Sequence, residues 1–322
     1  MNKKLFTLGM VTVLSIGLAA CNSADKSSGE QKQTSKATET KKDEKRKITY
    51  LGKEYTVPAK VTNIVTSSLE SMEDAAVLGI KPVGAITVGG KLPEYLAKDL
   101  EGAKSVGEKM QPNFETLLQL KPDVITSSSK FPPETAEKFT KIAPTFPVSH
   151  ISTNWEENLK LMGELSGKKE KAEKIIKDYK ADAAKAKEQI GDTLKDKKVL
   201  VIRLRAGNLY LYPESVYFNP VIYKDLGLTV PEEIKSVKAQ EAISLEKLAQ
   251  SNPDYIFLQF EKSENKDKPQ VLEDLQKNPI WQSINAVKDK KIFINAVDPM
   301  AQGGTAWSKT TFLKEAVKNL SK

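Results

Sequence analysis

Arg203 and Arg205 stand two residues apart in a chain that uses lysine for almost all of its positive charge. Lys and Arg together number 50, and only Arg46, Arg203 and Arg205 are arginine. The apolar run Val199-Leu200-Val201-Ile202 before them reads as a buried parallel strand. Alternate residues of a strand share a face, so both guanidinium groups project to one side. They come at the strand's C-terminal end, just before Gly207. Open α/β sheets take their ligands there. Guanidinium can meet an anion or lie on an aromatic face. On these residues alone, a structural ion pair to Asp or Glu across a cleft is an equal reading. Lys130 has a matching setting, after the strand-like Val124-Ile125-Thr126 and before Phe131-Pro132-Pro133. Lys109 lies in the loop Gly107-Glu108-Lys109-Met110. Taken singly, each lysine is a solvated side chain. Taken together, two lysines and two arginines could converge on one cleft.

Cys21 carries a different chemistry. Lys3 and Lys4 precede an uncharged, mostly apolar stretch from Leu5 to Leu18, which ends in Leu18-Ala19-Ala20-Cys21. A membrane span needs ~20 apolar residues, so this stretch reads as a secretory signal. Cys21 after the small pair matches a bacterial lipobox, with cleavage before it and a thioether-linked lipid on its sulfur. It is the only cysteine, which excludes an internal disulfide framework. Acyl chains contribute ~0.8 kcal/mol per buried methylene and could hold the protein at the extracytoplasmic face of the cell membrane. Residues 22–47 lack large apolar side chains, and we expect a disordered tether with folding from Ile48.

Charge narrows the partners. Of the formal net +8, two charges leave with Lys3 and Lys4. Three more belong to the eight basic and five acidic side chains of residues 22–47, leaving +3 on residues 48–322. Nucleic acid is therefore not an expected partner.

The elements that must position these residues alternate between strand and helix. Strands are expected at 63–66, 82–86 and 123–126, with helices at 72–78 and 115–120. The second half repeats the order, with strands at 198–204 and 254–259 and helices at 220–226 and 246–250. This order favours a parallel sheet under helices. One module recurs at a spacing of 131 residues. Glu115 and Glu246 each precede a Pro-Asp pair, Pro122-Asp123 and Pro253-Asp254, by seven residues. Asn113 and Ser244 each stand two before their Glu, as N-caps would. The fold class is therefore α/β with two similar lobes. Between them, 169–190 has helical apolar spacing, and 22 residues span roughly 33 Å. We read it as a strut joining the lobes. The chain divides into a signal over 1–20, the lipidated Cys and tether over 21–47, a first lobe over 48–168, a linker helix over 169–192 and a second lobe over 193–322.

From Ile48 onward the chain resembles the cluster A-II (class III) substrate-binding lipoproteins of iron-siderophore importers. The resemblance rests on Ser68-Leu69-Glu70-Ser71-Met72-Glu73-Asp74-Ala75, Gly107-Glu108-Lys109-Met110-Gln111-Pro112-Asn113 and Lys130-Phe131-Pro132. It rests also on Pro147 to Ser152, Arg203-Leu204-Arg205 and Ala301 to Ser308. It implies a class III periplasmic-binding-protein fold, with two Rossmann-like lobes joined by a long helix. It implies a ferric tris-catecholate ligand of the bacillibactin or enterobactin type, gripped by Lys109, Lys130 and Arg205, with Arg203, Lys238 and Gln240 as secondary positions. Iron then enters only inside the siderophore, and no cofactor or protein-held metal is expected. Three cations can balance a trianionic complex while lying on ring faces, at ~0.5–2 kcal/mol per contact. The residue after Arg205 is Ala206, where the family leads us to expect Gln. The resemblance further implies that Glu115 and Glu246 dock on an ABC permease dimer, with Glu73 and Asp74 as weaker alternatives. A monomer is expected.

Other classes fit less well. A zinc or manganese receptor would want several histidines, and His150, read as structural, is the only one. A secreted hydrolase would want a nucleophile elbow, and no Gly-x-Ser-x-Gly occurs. Hydroxamate siderophores and haem remain alternative iron chelates for the same kind of receptor.

Overall fold

The computed structural model of the protein describes residues 44–321. The signal, Cys21 and most of the expected tether lie outside them. The first element is a hairpin of β1 (Lys45–Tyr50) and β2 (Lys53–Pro58). The fold thus starts three residues before Ile48. Arg46, expected in the tether, donates to the Glu164 carboxylate at 3.1 Å and the Glu164 carbonyl at 2.9 Å. Ile48 and Val57 are buried, and the Tyr50 hydroxyl donates to Asn158 Oδ1 at 2.6 Å. This hairpin is pinned by packing that no local pattern announces.

The first lobe carries β3 (Ile64–Ser67), α1 (Leu69–Leu78), β4 (Gly84–Thr87), α2 (Glu94–Ala97), β5 (Lys104–Glu108) and β6 (Gln111–Pro112). It continues through α3 (Phe114–Leu120), β7 (Val124–Ser128), α4 (Pro133–Thr140) and β8 (Thr145–Val148). The sheet order is β6-β5-β4-β3-β7-β8, all parallel except β6. Two helices follow, α5 (Trp155–Ser166) and α6 (Lys169–Ile190). α6 has the expected bounds but is not a bare strut. Ala172, Ile176, Tyr179, Ala183, Ala186 and Ile190 are buried along one stripe, against α5 and the C-terminal helix.

The second lobe holds β9 (Val199–Arg205), β10 (Asn208–Leu211), a π-helical turn at Val221–Asp225, α7 (Glu232–Lys235) and β11 (Glu241–Ile243). Then come α8 (Leu245–Ser251), β12 (Tyr255–Phe260), a 3-10 turn at Lys262–Asn265, α9 (Val271–Lys277), α10 (Pro279–Gln282) and α11 (Asn285–Lys288). β13 (Ile292–Ile294) and α12 (Ala306–Leu320) end the chain. The sheet order is β11-β10-β9-β12-β13. β9, β12 and β13 are parallel, but β9 turns straight back into antiparallel β10 instead of crossing over through a helix.

The repeated module is real down to its hydrogen bonds. Asn113 and Ser244 cap α3 and α8, accepting from the amides of Thr116 and Lys247. Lys121 and Asn252 end the two helices in left-handed conformations, with φ of 46° and 48°. Asp123 and Asp254 then accept from the amides of Asn63 and Lys198, each at 2.8 Å, tying the new strand to its neighbour.

α12 joins the lobes. Its N-terminal cap hydroxyl on Thr305 donates to the buried carboxylate of Glu73 in α1. Glu73 also accepts from Ser308 Oγ at 2.5 Å, Tyr95 OH at 2.6 Å and the Gln302 amide at 2.9 Å. Asp74 beside it accepts from the Ala306 amide at 3.3 Å. Both are fully buried, so neither is free to dock on a partner; the weaker docking alternatives fail on burial. One turn on, the buried Lys309 ammonium lies 2.7 Å from Asp225, which also accepts from Tyr179 of α6 at 2.6 Å. The ammonium faces the Tyr179 ring at 5.1 Å and the Trp155 ring at 5.7 Å.

Burial pushes the Glu73 carboxyl up to about 7, against the pull of its four donors. The folded protein therefore holds this proton over a range where the unfolded chain, at about 4.5, has lost it. Stability from this group is present at low pH and is lost as pH rises toward 7. The Glu73→Gln variant should flatten that loss, by on the order of 1 kcal/mol per pH unit between pH 5 and 7. Denaturant unfolding of both proteins across that range reads it out; parallel curves would contradict the assignment. A second expectation concerns the β9–β10 turn. Ala206 and Gly207 both have positive φ, 47° and 73°. An L-residue pays ~1–2 kcal/mol there, whereas Asn tolerates it and Asn-Gly suits this turn. Ala206→Asn should raise stability by ~1 kcal/mol, measured as the denaturation midpoint; a lowered midpoint would refute the strain.

Candidate functional site

The C-terminal ends of the parallel strands gather the charged residues. Ser68 caps α1 just past β3 and holds Ser71's amide at 3.1 Å, which puts Glu70 in the first turn. Lys130 follows β7, and its ammonium meets Glu70 at 2.9 Å. The Glu70 side chain is 5 % exposed and the Lys130 side chain 38 % exposed. Burial alone would raise the Glu70 carboxyl, but the Lys130 charge and hydrogen bond outweigh it and hold the group below its usual range. Lys130 is thus paired on one side and open on the other.

Lys109 sits in the tight turn between β5 and β6. Gly107 makes that turn with φ of 106°, and a Cβ there would lie 2.3 Å from the Gln111 carbonyl oxygen. Glu108 anchors it by accepting from Thr87 and from the amides of Gly89 and Gly90. Burial pulls the Lys109 ammonium down to about 8. Glu264 opposes that shift, while Arg203 and Lys130 add to it. Lys109 therefore feels charges from both lobes, as a convergent cleft requires.

Arg203 and Arg205 project to one side of β9, as their parity demands, and share Glu264. Arg203 is 5 % exposed. Its Nε donates to Glu264 Oε2 at 2.8 Å and its Nη1 to the Tyr217 hydroxyl at 3.1 Å. The equal alternative of a structural ion pair thus describes Arg203. Arg205 differs: its Nε is 3.8 Å from Glu264 Oε1, and its side chain is 46 % exposed. It keeps a face for a ligand. Tyr217 stacks near Tyr212 at 4.9 Å, and the Tyr212 hydroxyl donates to Gln240 at 3.3 Å. Gln240 is therefore linked to the arginine side. Lys238 is exposed, with its backbone amide on Glu241 at 3.1 Å.

Two acids of the site went unrecognised in the sequence. Glu70 and Glu264 are two of 42 acids, and only long-range packing singles them out. His150 was read as structural, and its Nδ1 does pair with Ser129 Oγ at 2.9 Å. It is only half-buried, however; burial and the Lys130 charge lower its pKa, with Glu70 pulling the other way. It stands at the cleft's edge. Among the described residues, no group of three or more His, Cys, Asp or Glu could hold a metal ion. A cavity of about 570 Å³ lies elsewhere, lined by Lys198, Glu233, Glu241 and Lys247 and by none of the four cleft cations. Its Lys198–Glu233 pair is 3.2 Å apart through Oε1, and Glu233 Oε2 is buried without a hydrogen-bond partner.

Glu115 and Glu246 occupy matching first-turn positions on α3 and α8, and both are exposed. Glu115 accepts a long 3.4 Å bond from Gln119. Among the described residues, no helix is long and apolar enough to cross a membrane.

Comparison with known proteins agrees with this geometry. Residues 64–296 match the family model for periplasmic binding proteins. The chain is 50% identical over 320 residues to the iron-uptake system-binding protein of Bacillus subtilis (strain 168), covering 99% of each. It is 30% identical over 298 residues to the probable siderophore-binding lipoprotein YfiY of the same organism, covering 89% of each. A crystal structure of the triscatecholate siderophore binding protein FeuA from Bacillus subtilis, complexed with ferri-bacillibactin, superposes with a TM-score of 0.83. The identity there is 53%, over 85% of this chain and 98% of that one. Two α/β lobes, a matching family model and near-full-length similarity place the chain in one group: it belongs to the periplasmic binding protein family.

Proposed function

We propose that this protein captures a ferric tris-catecholate siderophore in the basic cleft and delivers it to an ABC importer. The observation that carries the reading is the shared field at the strand ends: Lys109 of the first lobe feels Lys130 beside it and Glu264 and Arg203 of the second lobe, and Arg205 leans on the same Glu264. Similarity to a protein crystallised with ferri-bacillibactin supports the ligand class. Six catecholate oxygens around Fe(III) leave a trianion with aromatic rims. Lys130 and Arg205 each keep an exposed side for it, while Glu70 and Glu264 hold their other sides in place. Ammonium and guanidinium on ring faces add ~0.5–2 kcal/mol per contact. Arg203 and Gln240 act at one remove, through Glu264, Tyr217 and Tyr212, and Lys238 at the rim. The side chains need not touch the iron. The protein performs no covalent chemistry.

Delivery is read from the repeat. Glu115 and Glu246 present one exposed carboxylate per lobe on equivalent helices, which suits a permease built as a dimer. The protein acts as a monomer, held by lipid on Cys21 at the extracytoplasmic face; its similarity to a siderophore-binding lipoprotein supports that anchor.

Quenching of intrinsic fluorescence by the ferric complex measures capture. Arg205→Ala should weaken binding of a ferric tris-catecholate at least tenfold, about the loss of one charge-assisted contact, with the thermal midpoint held. Unchanged affinity, or tighter binding of a ferric hydroxamate by the wild type, would refute the ligand assignment. Delivery has its own test. The double variant Glu115→Ala, Glu246→Ala should bind the siderophore normally but fail to support iron uptake in cells lacking the wild-type protein. Normal uptake would remove the docking role.

A further inference from the structure

Two carboxylates sit among the cleft cations. Glu70 has a single task, which is to hold Lys130. Glu264 faces more. It rises from the 3-10 turn after β12, and its side chain is 12 % exposed. Oε2 lies 2.8 Å from both Nε and Nη2 of Arg203, and Oε1 lies 3.8 Å from Nε of Arg205. The turn is fixed to the arginine hairpin. The Ala206 amide donates to the Glu264 carbonyl at 3.0 Å, and the Gly207 amide to Asn265 Oδ1 at 3.0 Å. Across the cleft, its charge is the strongest one acting on Lys109. One rigidly held carboxylate therefore opposes three cations from two lobes.

We propose that Glu264 is a specificity-determining residue: it is the cleft's built-in counter-ion, and it sets how much of a ligand's affinity can come from charge alone. This rests on the tris-catecholate reading. With Glu264 ionised, four cations face two carboxylates; without it they face one. Repulsion between Glu264 and a ligand grows with the ligand's own negative charge. A compact oxyanion has only its charge to offer, so a muted field leaves it weakly held. A tris-catecholate also offers ring faces to Lys130 and Arg205, and the muted field costs it less in proportion. The same carboxylate relieves repulsion among the cations when the cleft is empty.

The test uses one hexadentate tris-catecholate loaded with two metals. Iron(III) gives a trianion and titanium(IV) a dianion of nearly the same shape. Affinities of both complexes are measured for wild type, Glu264→Gln and Glu264→Asp. Glu264→Gln should widen the preference for the trianion roughly threefold at low ionic strength, and the gain should shrink in high salt. Inorganic pyrophosphate should compete better against the variant than against wild type. Glu264→Asp keeps the charge, so its trianion-to-dianion ratio should stay at the wild-type value even where both affinities fall. A ratio unmoved in Glu264→Gln would show that Glu264 merely holds the arginines. A ratio shifted in Glu264→Asp would overturn the charge role even if Glu264→Gln does not fold. If wild type binds neither complex, the siderophore reading fails; if it binds both and the ratios are flat, only the counter-ion role fails.

Discussion

Lys109, Lys130, Arg203 and Arg205 repel one another, and the fold gathers them at the strand ends with Arg203 buried and Lys109 partly so. Two carboxylates make that placement tolerable, Glu70 buried and Glu264 nearly so. Glu70 takes one side of Lys130, and Glu264 occupies Arg203 and steadies Arg205. A charge left unpaired in such surroundings would shift its pKa or unfold its loop. Lys109 shows what burial still costs: its ammonium is drawn down to about 8 chiefly by desolvation, with Arg203 and Lys130 adding to the shift. The site is thus a balance of opposed charges in which the cations outnumber the carboxylates.

Holding that balance requires lobes that keep their spacing. The β-strands cannot supply this, because each sheet belongs to one lobe. α12 supplies it instead. Its cap and first turn close on Glu73 and Asp74 of α1, and Lys309 ties the next turn to Asp225 and Tyr179. Three helices and the π-helical turn meet at one ammonium. The cleft and the junction therefore solve the same problem, a buried charge with partners from distant parts of the chain.

Local signals in the sequence carried much of the architecture. The bounds of α6 follow from apolar spacing, and the 131-residue repeat follows from N-caps, first-turn glutamates and Pro-Asp pairs that act within a few residues. The two arginines could be placed on one face of β9 from parity alone. What escaped was long-range. Nothing near Arg46 announces Glu164, and nothing near Glu264 announces Arg203, 61 residues away. The β9–β10 hairpin was missed because Ala206-Gly207 is not a usual two-residue turn, and Ala206 adopts a conformation that alanine resists. Glu73 and Asp74 looked available as surface acids; helix periodicity cannot say which face a later helix will cover.

The α12 junction also bears on how far the lobes can move apart. Prying the lobes apart would break the four hydrogen bonds that Glu73 and Asp74 accept from Thr305, Ser308, Gln302 and Ala306, each worth on the order of 1 kcal/mol net. Thermal fluctuation alone will seldom do that. The junction is therefore a stiff joint rather than a hinge, with no spring stored in it.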